Sequence, residues 1–177
     1  MNVTGDIILR HTLWTDAEDS LCKGFIFERL VDLFVVACAI GIKEDKYIEN
    51  NMQDDDKPKS IGRNTYLVKN EDLTTIITFL FQNAVLNSKT VSFDNDTRLR
   101  IAFDPDFPDE RSKIQFSPTN FLVKFANYGV SKILEWKSDS DIEYIDRIKN
   151  EIDEMLLKDY SDIIKQINEE ILAFEKI

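Results

Sequence analysis

Apolar residues recur at the three- and four-residue spacing of an α-helix in two segments of the first half of the chain. From about Phe25 to Ile42 this spacing predicts a core helix that is apolar around nearly its whole girth after Leu33, with Gly41 as its C-cap. Asn70-Glu71-Asp72 then caps a second predicted helix. The apolar stripe of that helix consists of Leu73, Ile76, Ile77, Leu80, Phe81 and Ala84.

A third predicted helix carries a glycine in its interior. Ser117 supplies an N-cap and Pro118 the first helical residue. Gly129 falls on the apolar face of this helix, which is formed by Phe121, Leu122, Phe125, Ala126, Val130, Ile133 and Leu134. A glycine inside a helix costs about 1 kcal/mol relative to alanine, so we expect another element to approach this helix closely at Gly129.

Between the second and third helices the apolar residues alternate with polar ones. Thr90–Phe103 shows this period of two on both sides of Asn95-Asp96, and we predict a β-hairpin there that projects Arg98 and Arg100 from one face. The alternative is one more helical turn at the end of this stretch. Earlier in the chain, Asn64–Val68 is typical of a short strand, and the polar segment Lys43–Ser60 of a surface loop.

The C-terminal segment has a heptad-like apolar spacing. The positions are Ile145, Ile148, Ile152, Met155, Tyr160, Ile164, Ile167, Ile171 and Phe174. This pattern predicts one long helix or two helices folded back on each other. Three kinds of contact can cover the apolar stripe: packing on its own domain, a homodimer, or docking on another protein. The chain is thus predicted to be mainly α, with a compact helical domain over residues 1–138, which includes the hairpin at 90–103, and an acidic helical segment over 139–177.

Composition narrows the function. The 177 residues carry a formal charge of −11, and residues 139–177 hold 12 acidic and 5 basic side chains. This charge opposes non-specific binding to nucleic acid, which requires lysine and arginine. Two cysteines fit a reducing cytoplasm, the apolar run Leu33–Ile40 is too short to span a membrane, and the opening residues lack a secretory pattern. The acidic segment 139–177 favours a basic protein partner, and its carboxylates could imitate the phosphates of DNA. The alternative is that they form an ordinary solvated surface.

Few residues suggest catalysis. The five glycines are isolated, so no phosphate-binding loop is predicted, and His11 has no ligand-spaced cysteine or second histidine near it. An acidic stretch loosely resembles the PD-(D/E)xK nuclease pattern and consists of Asp104, Asp106, Asp109, Glu110 and Lys113. A solvated loop is the favoured interpretation of that stretch. We therefore assign no catalytic, cofactor-binding or metal-binding residue.

Three stretches resemble the small Dnd system-associated proteins, which are encoded beside bacterial DNA phosphorothioation genes. They read FERLVDLFVVACAIGIKED, NTYLVKNEDLTTIITFL and LVKFANYGVSKILE, and the resemblance covers Phe25–Glu135. Asn127 and Gly129 match the family's Asn-Gly element, while Phe125 stands where the family favours tyrosine. The resemblance implies a cytoplasmic accessory protein without catalytic residues. It also suggests that Gly129 lets its helix cross the FVVACAIG helix closely, against Ala37 and Ala39.

These observations lead to two hypotheses. The first is a non-catalytic accessory subunit of a bacterial DNA-modification or phage-defence system that binds a protein partner, such as a basic DNA-processing enzyme. Its packing or contact candidates are Phe125, Asn127, Gly129, Ile167, Ile171 and Phe174. The alternative is a metal-dependent nuclease or hydrolase that uses the acidic loop Asp104–Lys113.

Overall fold

The computed structural model describes residues 5–23, 26–51, 58–67, 71–90, 92–104, 107, 116–138 and 140–154. The chain divides into two compact units, Met1–Glu135 and Trp136–Ile177. Within the described residues the protein is mainly helical with one small antiparallel sheet, which confirms the predicted fold class.

The first unit contains three long helices and several short elements. In chain order these are β1 (Ile7–Leu9), α1 (Leu13–Ala17) with a following π-helical turn (Glu18–Cys22), α2 (Leu30–Lys43), β2 (Lys59–Ile61), α3 (Arg63–Leu67), α4 (Glu71–Asn87), α5 (Asn95–Phe103) and α6 (Pro118–Glu135). The long helices α2, α4 and α6 coincide with the three segments whose apolar spacing is helical.

The core of this unit forms around α2 and α6, which pack together more extensively than any other described pair, while α1, β1 and α4 also contact α6. Large apolar side chains fill the space between these elements, and the biggest of them are Trp14, Tyr66, Phe34, Phe81 and Phe125. As predicted, Ser117 caps α6, since its Oγ accepts a hydrogen bond of 3.3 Å from the Asn120 backbone N–H. Burial of the apolar faces of α2 and α6 therefore organises the unit.

The two strands pair across a long stretch of sequence rather than within a hairpin. β1 and β2 are antiparallel, with Ile7 opposite Ile61 and Leu9 opposite Lys59. Ile7, Leu9 and Ile61 are buried. The stretch Ile7–Leu9 is thus a strand whose partner lies some fifty residues later in the chain.

The predicted β-hairpin at 90–103 is wrong, because residues 95–103 form helix α5. Asp94 has extended backbone angles and its carboxylate accepts a 2.8 Å hydrogen bond from the Thr97 N–H, which is the geometry of an N-cap. Asn95-Asp96, expected as a hairpin turn, is instead the first turn of the helix.

Arg98 does not project from a hairpin face. Its Nη1 donates hydrogen bonds to the carbonyls of Val85 (3.2 Å), Leu86 (3.1 Å) and Ser88 (2.8 Å) at the end of α4. It therefore satisfies carbonyls that a helix C-terminus leaves without an intrahelical partner. Arg100 lies beside Asp104, with a 3.8 Å separation between Nη2 and Oδ2.

Three further expectations are corrected. Gly41 is not a C-cap, because α2 continues to Lys43 and the left-handed backbone, with φ of 50°, occurs at Asp45. Asn64–Leu67 lies in helix α3, not in a strand, and Val68 is outside the described residues. The helix predicted from Phe25 begins at Leu30, since Arg29 is extended and its guanidinium pairs with Asp32 at 2.7 Å.

The described part of the second unit is helical over residues 141–154. Tyr144 and Ile148, four residues apart, are buried, whereas Ile145 is 46% exposed, so the predicted stripe is correct at Ile148 and wrong at Ile145. The candidates Ile167, Ile171 and Phe174 lie outside the described residues. Among the helices that the structure describes, none combines the length and apolar character that a membrane span requires.

Candidate functional site

The α2–α6 crossing is built on two glycines, each facing the backbone of the opposite helix. A Cβ atom added to Gly129 would lie 1.9 Å from the carbonyl oxygen of Ala37, and one added to Gly41 would lie 2.2 Å from that of Phe125. Both distances are far below van der Waals contact. The close approach suggested by the sequence at Gly129 is thus present and has a reciprocal partner in Gly41.

The expectation that Ala37 and Ala39 both face Gly129 is correct for Ala37 and wrong for Ala39. Ala37 is fully buried at the crossing, but Ala39 is exposed on α2. Successive residues of a helix point about 100° apart, so Ala37 and Ala39 cannot share the narrow strip that faces α6. Gly41, four residues after Ala37, occupies that strip instead.

Asn127 is fully buried, and its amide joins three segments of the first unit. Its Oδ1 accepts a 2.7 Å hydrogen bond from Trp14 Nε1, and its Nδ2 donates to the carbonyls of Ile48 (3.3 Å) and Glu49 (3.4 Å). The oxygen and both amide hydrogens are thus used within the fold. Asn127 holds α1 and the chain after α2 against α6 and has no remaining donor for a ligand.

Phe125 lies at the inner wall of an aromatic cleft of about 200 Å³, which we call the Lys124 cleft. Its aromatic walls are Tyr47, Phe93, Phe116, Phe121 and Phe125, and its polar lining residues are Thr90, Ser92 and Lys124. The Phe121 and Phe125 rings meet edge to face with centroids 5.2 Å apart. The cleft is therefore formed by α6 together with the segments that follow α2 and α4.

Among the described residues that line the cleft, Lys124 is the only charged one. Its Nζ lies 2.9 Å from Glu49 and 5.8 Å from the centroid of the Tyr47 ring. An ammonium group has three donors, and both carboxylate oxygens of Glu49 lie 2.9 Å from Nζ, so Glu49 uses up to two of them. The cleft thus combines apolar walls with a donor that is held by an ion pair.

A second surface, the α4–α5 face, consists of Ile76, Phe79, Leu99 and Phe103. Their exposures are 44%, 63%, 52% and 58%, respectively. The two helices run antiparallel, because Gln82 donates to the Ala102 carbonyl while Arg98 reaches the end of α4. The four exposed apolar side chains therefore lie on two adjacent helices, and exposed apolar groups on neighbouring elements are typical of interaction sites.

Acidic residues stand at the ends of the two helices that carry this face. Asp94 and Asp96 lie at the start of α5, Asp104 follows its end, and Asp72 is exposed in the first turn of α4. The hydrogen bond from the Thr97 backbone holds the pKa of Asp94 below its usual value, so this carboxylate stays charged. The face is apolar in its middle and acidic at its helix ends.

Among the described residues, the thiol of Cys38 is a possible nucleophile, but its surroundings do not favour that role. Cys38 is fully buried, its Sγ lies 3.6 Å from the Leu122 carbonyl, and burial raises the pKa of its thiol well above the usual value. A thiolate nucleophile is therefore disfavoured at neutral pH. The described residues contain no cluster of three potential metal ligands. Of the acidic loop Asp104–Lys113, Asp106, Asp109, Glu110 and Lys113 lie outside the described residues.

A polar contact on the surface links the end of α2 to α6. Tyr128 donates a 2.6 Å hydrogen bond to Glu44, which also accepts one of 3.0 Å from Lys46. Burial raises the pKa of Glu44, but these two hydrogen bonds outweigh burial and hold it below its usual value. Burial and the Glu44 contact raise the pKa of Tyr128. This arrangement strengthens the attachment of α2 to α6.

The sequence reasoning missed both the Lys124 cleft and the α4–α5 face. A signal for the face was present, since Phe79 falls outside the apolar stripe of α4 and therefore has no predicted place in the core. Leu99 and Phe103 were assigned to a strand, which concealed their shared helical face. The cleft had no comparable local signal, because its residues come from three separated segments.

Comparison of the chain with protein-family models, with curated proteins and with solved structures finds no match. The resemblance to the Dnd system-associated family therefore stays a prediction from the residues quoted above.

Proposed function

We propose that this protein is a non-catalytic accessory subunit that binds a basic protein partner through the α4–α5 face. The observation that carries this proposal is the exposure of Ile76, Phe79, Leu99 and Phe103 on two adjacent helices. Interface centres are rich in large apolar and aromatic side chains, and exposed apolar groups on neighbouring elements mark such sites.

Charge selects the kind of partner. The chain has a net charge of −11, and acidic residues lie at the ends of α4 and α5. A partner with a basic surface around an apolar centre would gain attraction at the edge of the contact and faster association. A second copy of this chain would bring carboxylates of the same sign towards each other, so the charges favour a different protein over a homodimer.

The biological setting rests on the sequence resemblance. The stretches FERLVDLFVVACAIGIKED and LVKFANYGVSKILE resemble the family encoded beside DNA phosphorothioation genes. We therefore place the protein in the cytoplasm, as part of a bacterial DNA-modification or phage-defence system. Enzymes of such systems bind DNA through basic surfaces, which makes a DNA-processing enzyme a suitable partner for an acidic subunit.

The test compares three full-length forms of the tagged protein, and a fourth form that ends at Lys137, in a pull-down from its host, followed by mass spectrometry. Phe79→Asp places a charge in the middle of the face, and Ile142→Asp is the matched control because Ile142 is 73% exposed on the other unit. We expect a basic DNA-processing protein to co-purify with the wild type and the control, with at least a tenfold loss for Phe79→Asp.

Other outcomes would contradict the proposal. Equal recovery of the partner by Phe79→Asp would show that the face is not the binding site. Loss of the partner on deletion of the chain after Lys137, with Phe79→Asp unaffected, would assign binding to the C-terminal segment. A concentration-dependent dimer that Phe79→Asp dissociates would show that the occupant of the face is a second copy.

A further inference from the structure

We propose that the Lys124 cleft accepts the side chain of one tyrosine from the protein partner. This inference rests on the proposed function and names a second contact for that interaction. Thr90, Ser92 and Phe93 shortly precede α5, whose Leu99 and Phe103 belong to the α4–α5 face. One stretch of chain thus contributes to both surfaces.

The size of the cleft limits its occupant. Its volume is about 200 Å³. A closed apolar cavity of about 150 Å³ holds one benzene molecule, whereas sites for whole cofactors and drug-sized ligands occupy about 300–1,000 Å³. The cleft therefore has room for a single ring with a small substituent, which is the dimension of one aromatic side chain.

The walls select an aromatic ring over an aliphatic group. Phe93 and Phe116 meet edge to face at 5.9 Å, and Phe121 and Phe125 do so at 5.2 Å. Such walls present both ring faces and ring edges, so an inserted ring can continue the same packing. Tyr47, which is 44% exposed, stands at the cleft as a further ring.

The polar lining distinguishes tyrosine from the other aromatic residues. Lys124 only donates hydrogen bonds, and after its contacts with the two oxygens of Glu49 the ammonium keeps a third donor. The indole N–H of tryptophan also only donates, and phenylalanine has no polar atom. The tyrosine hydroxyl accepts from Lys124 and can donate to the hydroxyl of Ser92, which is exposed at the cleft.

The first experiment titrates the full-length protein with side-chain analogues and follows its amide resonances by NMR. The probes are p-cresol for tyrosine, toluene for phenylalanine and 3-methylindole for tryptophan. We expect saturable shifts at Tyr47, Ser92 and Phe121. We expect p-cresol to bind at least about tenfold more tightly than toluene, the factor of one hydrogen bond to a charged group.

Two lysine variants test the role of the ammonium. Lys124→Met should reduce the preference for p-cresol over toluene to about one while toluene binding is retained. Lys132→Met is the control, since Lys132 lies on the same helix and pairs with Glu135 at 2.7 Å. The absence of saturable shifts, tighter binding of 3-methylindole, or an unchanged preference in Lys124→Met would each overturn the tyrosine assignment.

A competition experiment separates this inference from the proposed function. N-acetyltyrosinamide should weaken capture of the partner by the wild type, and Phe79→Asp should lose the partner while it still binds p-cresol. If partner capture depends on Phe79 but N-acetyltyrosinamide does not compete, the proposed function stands and the cleft inference is wrong. If p-cresol binds and no protein partner is captured, a protein source for the ring is excluded.

Discussion

Gly41 and Gly129 act as a pair because each one faces the backbone of the other helix. The atoms that an added Cβ would meet are carbonyl oxygens of Phe125 and Ala37, which cannot rotate away as a side chain would. In an isolated helix, alanine is more favourable than glycine by about 1 kcal/mol. At this crossing the order is reversed, since the space between the helices admits only a hydrogen atom.

We expect Gly129→Ala to lower the free energy of unfolding by about 3 kcal/mol, because the helices must separate to admit the methyl group. Gly41→Ala should have a similar effect. Gly62→Ala is the control, since nothing lies within 4 Å of its added Cβ. Urea denaturation measures all three variants. Unchanged stability of Gly129→Ala would disprove close packing at the crossing.

Asn127 provides a second test at the scale of single residues. Asn127→Leu keeps the approximate volume but leaves Trp14 Nε1 and two backbone carbonyls without their partner, and we expect a loss of about 3 kcal/mol. In the double variant with Trp14→Phe one orphaned donor is removed. The decrease in the free energy of unfolding of the double variant, measured by urea denaturation with circular dichroism, should be smaller than the sum of the decreases of the two single variants. Strict additivity would contradict the hydrogen bond.

Helix α5 shows how a local cap decides between two secondary structures. The period-two pattern of residues 90–103 fits a strand, but the Asp94 carboxylate bonds to the Thr97 N–H and Arg98 reaches the carbonyls of α4. These contacts satisfy the start of α5 and the end of α4, and both require the helical conformation. The side chain of Asp94 thus favours a helix, although the alternation of apolar and polar residues predicts a strand.

The cap predicts a pH dependence in the first turn of α5. The hydrogen bond from Thr97 lowers the pKa of Asp94, so its stabilising contribution is complete above the usual aspartate pKa and is lost as the pH falls through the lower folded value. The protection factors of the Thr97 and Arg98 amides, which compare the measured hydrogen-exchange rate with the intrinsic rate at the same pH, should fall on acidification. Asp94→Asn should retain protection without this dependence, and Asp96→Ala should behave as the wild type. Equal acid sensitivity in Asp94→Asn would exclude Asp94 as the cause.

At the scale of elements, the sequence was sufficient where one periodicity extends over many residues. Helices α2, α4 and α6 were predicted because their apolar spacing continues for several turns. The pairing of β1 with β2 could not be predicted, since each strand has only three residues and they lie about fifty positions apart. For the close crossing of α2 and α6 the sequence offers Gly129 as a signal. Gly41 lies at the end of the predicted first helix, where a glycine is typical of a C-cap, so its role in the crossing is hidden.

At the scale of the whole molecule, charge restricts the partners more than it restricts the fold. The acidic and basic side chains number 33 and 22, and the isoelectric point is about 4.6. The two proposed binding surfaces require tertiary structure, because the Lys124 cleft and the α4–α5 face each draw side chains from separate elements. No pattern within one element predicts such a surface, although an unplaced aromatic such as Phe79 indicates that one exists.

The net charge predicts that the protein does not bind duplex DNA without a partner. Fluorescence anisotropy of a labelled duplex should stay unchanged on addition of the protein at physiological salt, because few cations are available to replace the counterions of the phosphates. A histone provides the positive control. Salt-sensitive binding by this chain would contradict the prediction and would show that its few basic side chains form a phosphate-binding surface.

The dependence of α2 on α6 has a consequence for biosynthesis. About 75 residues separate the end of α2 from the start of α6, and ribosomes add about 5–20 residues per second. The most apolar helix of the chain is therefore synthesised about 4–15 s before the helix that covers it. During that interval the nascent chain offers an apolar segment to chaperones, so depletion of a ribosome-associated chaperone should reduce the yield of folded protein.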